Sequence, residues 1–155
     1  MEPRNAILSV VNILAGSPTI DELELVATLE RGGFSHVQAE KLCAFVPSAF
    51  AWALLKRMGL QSFPSYYTVL DGAGKEVRLP LDGEPYFTAA VQLASKTIEN
   101  GWTSVLTRKN FECVVNRSAE LGAANKLLDS GRSLATAELL PLRVFRISAE
   151  LAKES

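Results

Sequence analysis

The stretch SHVQAEKLCAFVPSAFAWALLKRM, residues 35–58, decides the fold class. It opens on a capping box: the Ser35 hydroxyl can accept from the Gln38 amide, and the Gln38 side chain can reach back to the Ser35 amide. A helix is predicted from there to about Phe45. Pro47 has no amide donor and crowds the preceding turn, so a bend is expected near Val46. Proline is well placed in the first turn of a new helix, which predicts a third helix from Pro47 to Met58, closed by Gly59. Phe45, Phe50, Trp52, Leu54 and Leu55 make this the most apolar part of the chain and the expected centre of the core.

The preceding residues are also helical in pattern. A first helix is predicted from Pro3 to Leu14, burying Ile7, Val10, Val11 and Leu14, with Ala15-Gly16-Ser17-Pro18 as its stop. Its apolar run, with Arg4 before it, has the outline of a signal peptide. Asn5, Ser9 and Asn12 nevertheless share one helical face, and a signal core has no reason to keep a polar stripe. Thr19-Ile20-Asp21-Glu22 reads as a second capping box, with Thr19 as the cap of a helix through Leu23, Val26 and Leu29. Gly32 and Gly33 supply the left-handed residue that ends it.

After residue 59 the character changes. Tyr66 to Leu70 is rich in strand formers, Asp71-Gly72-Ala73-Gly74 is turn chemistry, and Lys75 to Leu79 can return as a second strand. A helix follows from Tyr86 to about Glu99, stopped by Asn100-Gly101. Trp102 to Thr107 is open between loop and a third strand. From Lys109 a helical stripe returns through Phe111, Val114, Val115, Leu121, Ala124 and Leu128, with a break expected near Asn116. Leu140, Val144, Ile147 and Leu151 step by four, three and four, which predicts a last helix. The expectation is a mainly α, marginally α+β chain: one domain over residues 1–155, about six helices and one short β-hairpin.

The totals suit such a domain. The chain has 155 residues, 48% hydrophobic and 21% charged, the balance of a globular protein. Its net charge of −1 argues against a nucleic-acid partner, since phosphate contacts demand surplus Lys and Arg. No apolar run reaches the length of a membrane span. Two cysteines, Cys43 and Cys113, lie far apart and outside any CxxC pair, which fits reduced, buried thiols in a cytoplasmic protein.

The usual chemical signatures fail one by one. His36 is the sole histidine, and Cys43, two turns along the same helix, is about 10 Å away, too far for a base and its nucleophile. One histidine and two scattered cysteines do not make a zinc set, and Asp71, Asp82 and Glu84 lack the spacing of an oxygen-ligand loop, so no metal or cofactor is expected. Asp71-Gly72-Ala73-Gly74-Lys75-Glu76 has neither the spacing nor the strand–helix setting of a phosphate loop. No catalytic residue is assigned.

The remaining features are surface features. Tyr66 and Tyr67 are consecutive, so in a strand one points inward and the other outward, and an exposed Tyr is a frequent interface anchor. Arg117 and Glu120, three residues apart, form a polar patch. These four residues are the candidate binding set. The chain reads as a non-enzymatic protein-binding module of adaptor, immunity or regulatory type, acting through a hairpin edge or a helix face. The alternative is a small enzyme or ligand-binding protein whose site gathers distant residues such as His36, Cys113, Arg117, Asp82 and Glu84. A homo-oligomer formed through the first or last helix is a third reading.

Overall fold

The centre of the fold is one uninterrupted helix, α3, which runs His36–Arg57 straight through Pro47. The computed structural model describes residues 2–57, 65–70, 72–102, 106–116 and 147–148. Around α3 lie α1 (Pro3–Gly16), α2 (Glu22–Arg31), α4 (Pro85–Glu99) and α5 (Arg108–Asn116). Strands β1 (Tyr66–Leu70), β2 (Glu76–Pro80) and the two-residue β3 (Ile147–Ser148) form one sheet in the order β2-β1-β3. The architecture is mainly helical, with five helices among the described residues and an antiparallel hairpin.

The break expected at Pro47 does not occur. Proline cannot donate to the Cys43 carbonyl and disfavours a helix interior by about 3 kcal/mol. Every residue from Phe45 to Leu54 is buried, because α4 packs extensively on α3 and α1, α2 and α5 cover its other sides. A helix that is apolar all round is a core helix. Fully burying side chains the size of Phe45 and Phe50 is worth about 1.5–3 kcal/mol each, which outweighs the local penalty. Ser48 Oγ also donates to the Ala44 carbonyl at 2.8 Å, beside the proline.

Cap chemistry places the helix ends. The Ser35–Gln38 box forms reciprocally: the Gln38 amide donates to Ser35 Oγ at 3.1 Å, and the Ser35 amide to Gln38 Oε1 at 2.9 Å. The cap of α2 is Asp21, not Thr19; the Asp21 carboxylate accepts from the Glu24 amide at 2.7 Å. A charged acceptor makes the stronger bond and moves the helix start two residues on. Leu25, Val26 and Leu29 form the buried stripe, and Leu23, about two residues' rotation from Leu25, lies on the opposite face, 84% exposed. At the far end, Phe34 N–H reaches the Leu29 carbonyl and Gly33 N–H the Glu30 carbonyl. This is a Schellman stop with Gly33 at φ 105°.

At the strand level one expectation changes, and the described ends of one open segment are placed. Trp102 lies in the left-handed region (φ 70°) just after the Asn100-Gly101 stop of α4, packed edge-on against Phe111. It is therefore a turn residue, and neither Leu106 nor Thr107 is in a strand. The third strand comes instead from the predicted last helix: Ile147 and Ser148 pair in parallel with Val69 and Leu70. Tyr67, Thr68 and Val69 are buried, so β1 needs partners for its backbone groups on both edges. That tertiary demand overrides a helical period carried by four residues. The expected helix between Leu121 and Leu128, and the rest of the predicted last one, lie outside the described residues.

Candidate functional site

The hairpin pairs Tyr66 with Pro80, Tyr67 with Leu79, Thr68 with Arg78, Val69 with Val77 and Leu70 with Glu76. Just beyond Tyr66 and Pro80, Leu81 N–H donates to the Ser65 carbonyl at 3.0 Å. Hydrogen-bonded and non-bonded pairs alternate along an antiparallel ladder. Counting from that bond, Tyr67–Leu79 and Val69–Val77 exchange bonds across the hairpin, whereas Glu76, Arg78 and Pro80 direct their backbone groups away from β1. Pro80 thus sits where its missing N–H costs the hairpin nothing.

Among the described residues β2 is an outer strand, and every residue of it is exposed except Leu79, which is half-buried. Val77 is 37% exposed although it lies on the same face as the buried Tyr67 and Val69. The helical core therefore supports β1 and reaches β2 at Leu79, leaving Val77 at its margin. On the opposite face the Arg78 guanidinium lies 4.5 Å from the centre of the Tyr66 ring. This diagonal cation–π contact holds both side chains against the sheet.

The two tyrosines divide as the alternation requires. Tyr67 is the inward one, buried edge-on against Phe45 at 5.2 Å. It offers no surface to a partner; Tyr66 is the displayed member of the pair. Arg117 and Glu120 lie outside the described residues.

Beneath the hairpin is a polar cluster that sequence reasoning missed. The turn Leu81–Glu84 closes through Glu84 N–H to the Leu81 carbonyl, with Gly83 at φ 91° supplying the left-handed third position. It delivers Glu84 to the N-cap of α4, yet the carboxylate does not cap. It turns inward, where the Tyr67 hydroxyl donates to Oε1 at 2.7 Å and Lys41 Nζ lies 3.5 Å from Oε2. The Lys41 and Glu84 side chains are 3% and 11% exposed. Burial, then the hydrogen bond to Glu84 and its negative charge, hold the Tyr67 phenol well above the ordinary tyrosine range. A neutral phenol donating to a carboxylate that also faces an ammonium is a closed arrangement. It ties α3, β1 and the start of α4 together, and no group in it is poised as a base or nucleophile. An apolar period around Lys41 and a turn around Glu84 gave no signal that the two would meet.

The other candidates separate. His36 Nδ1 lies 2.6 Å from Glu30 Oε1 and Nε2 3.5 Å from Glu40 Oε1, bridging the end of α2 and the first turns of α3 on an exposed surface. Cys113 Sγ donates to the Leu14 carbonyl at 3.0 Å, and burial raises its thiol pKa, partly offset by Lys109. The two share no polar partner. Both cysteines are unpaired by disulfide and half-buried rather than fully buried. Asp82 lines open depressions of about 400 and 700 Å³ beside α4, while Glu84 turns away from them. Among the described residues no three His, Cys, Asp or Glu side chains gather as a metal site, and no helix is long and apolar enough to cross a membrane.

Fold and site together define a class: a mainly helical domain that carries an antiparallel β-hairpin. No protein-family model, curated protein or solved structure matches the chain.

Proposed function

We propose that this chain is a protein-binding module whose docking element is the hairpin, taking an extended segment of another polypeptide along the outer edge of β2. The observation that supports this reading is the state of β2: among the described residues an outermost strand, exposed at every position but Leu79, whose register turns the backbone of Arg78 outward. Strand addition at such an edge draws affinity from main-chain bonds and specificity from the flanking side chains. Tyr66 and Arg78, stacked on one face, and Val77 on the other are those flanking groups. The net charge of −1 favours a protein over a nucleic acid or an anionic membrane surface as partner. Two thiols without a disulfide and a polar stripe on α1 support a cytoplasmic setting.

The test is a photo-crosslinking amino acid in place of Val77, irradiated in cells of the native host. A single discrete adduct is expected. Arg78→Pro should abolish it, because it removes one outward N–H while leaving the β1–β2 ladder bonded, as Pro80 does. Arg78→Ala should keep more of it. No adduct at Val77, or an adduct indifferent to Arg78→Pro, would overturn the reading.

A further inference from the structure

Between the first turn of α1 and the outer face of α4 lies a depression of about 470 Å³ walled by Arg4, Gln92 and Lys96. We infer that it is a binding site for a small organic dianion, a phosphate monoester with a short apolar body. None of these residues belongs to the hairpin, so this site stands or falls separately from the docking edge.

The wall is basic and unneutralised. Arg4 comes from α1 and Lys96 from α4, and the two helices pack on each other. Among the described residues no Asp or Glu lines the depression. The Arg4, Gln92 and Lys96 side chains are exposed, and none of them makes a hydrogen bond or an ion pair. Glu2 and Asp82 line the neighbouring depression, which Arg4 also borders, yet Arg4 pairs with neither.

Helix stability accounts for only one of the two cations. Lys96 is in the last turn of α4, where a positive charge suits the negative end of the helix dipole. Arg4 is in the first turn of α1, at the positive end, where a cation is unfavourable. Two like charges on one concave wall repel each other. An anion held between them reverses the sign of that interaction, and a concave wall concentrates the field it feels.

The floor defines the rest of the ligand. Ala89 is half-buried, and Leu93 and Thr97 are buried. The Thr97 hydroxyl already donates to the Leu93 carbonyl at 2.8 Å, so it has no proton for a ligand. An apolar floor with a few unengaged polar groups above it is the arrangement of a small-ligand pocket, and the volume is of that order. The Arg4 guanidinium can grip two oxygens of one phosphate, Lys96 adds a point charge and Gln92 a neutral donor. A phosphate monoester carries close to two negative charges at neutral pH and so matches both cations, whereas a monocarboxylate leaves one uncompensated.

The experiment is an amide NMR titration of the full chain at low salt, with phenyl phosphate, inorganic phosphate and benzoate as separate probes. Phenyl phosphate should give saturable shifts at the amides of Arg4, Ala89, Gln92 and Lys96. Inorganic phosphate should move the same amides but bind several-fold more weakly, having no body to cover Ala89 and Leu93. Benzoate should bind about tenfold more weakly than phenyl phosphate, for want of the second charge. Arg4→Gln and Lys96→Gln should each weaken phenyl phosphate about tenfold, whereas Lys109→Gln, at an exposed cation of α5, should leave it unchanged. The spectrum of each variant verifies its fold. Shifts scattered over the basic residues without saturation overturn the site, and so does saturable binding that survives both Arg4→Gln and Lys96→Gln. Benzoate binding as tightly as phenyl phosphate overturns the dianionic head. Inorganic phosphate binding as tightly as phenyl phosphate overturns the apolar body.

Discussion

Replacing Glu84 with Leu tests whether the buried cluster is as closed as its geometry makes it. In the native protein the Glu84 carboxylate accepts from the Tyr67 hydroxyl at 2.7 Å and faces Lys41 Nζ at 3.5 Å, with Lys41 only 3% exposed. Glu84→Leu takes a negative charge away from an ammonium in the interior and removes the acceptor of a buried hydroxyl. Breaking a buried pair from one side costs about 3–5 kcal/mol. In a domain of this size 1 kcal/mol moves the melting midpoint by about 2–4 °C, so a fall of roughly 10–15 °C is expected. Lys41→Met alone strands the carboxylate, which keeps the Tyr67 donor, and so should cost less than Glu84→Leu. The double variant removes both charges and refills the space with apolar atoms; it should recover at least about 2 kcal/mol of the summed single losses. Urea unfolding followed by the fluorescence of Trp52 and Trp102 reads all three. Additive losses, or a loss below about 1 kcal/mol for Glu84→Leu, would refute the coupling.

Tyr67 adds a pH dependence. Its phenol titrates higher in the folded than in the unfolded chain, where the value is about 10, so the stabilisation is complete below pH 10 and declines above it. The decline contributes about 1.4 kcal/mol per pH unit, and Tyr67→Phe should lack that contribution when unfolding is compared between pH 9 and about pH 11. Ser35→Ala and Asp21→Ala should each lower stability by about 1 kcal/mol in urea titrations, whereas Thr19→Ala should be close to neutral, because the cap bond belongs to Asp21. Phe50→Ala and Trp52→Ala should each cost about 3–5 kcal/mol, measured as a drop in the denaturation midpoint, since both side chains are fully enclosed.

The pattern of agreement between sequence and structure follows the range of the interactions involved. Interactions spanning a few residues were legible: the Ser35–Gln38 box, the Gly33 and Gly101 stops, the hairpin at residues 66–80, and the buried stripes of α1 and α5. Each is decided by side chains that reach only the next turn or the facing strand, and those partners are adjacent in the chain. Even here competition between neighbours mattered, because a carboxylate two residues after Thr19 took over as cap.

Only the tertiary structure decided the rest. It carried α3 through Pro47, since burial against α4 and the surrounding helices exceeds the loss of one amide bond. It recruited Ile147 and Ser148 to β1, because a buried strand needs a partner on each edge. It joined Lys41 to Glu84, 43 residues apart, within a site no local pattern marks. It also left β2, among the described residues, exposed at every position but Leu79, which alternation alone leaves open. By itself the sequence determined that α1, α2, α4 and α5 are helices and that the 66–80 region is the hairpin, because capping, turn chemistry and periodicity act locally. Which surfaces are sealed and which stay open depended on how those segments pack, and the functional reading of this protein rests on that packing.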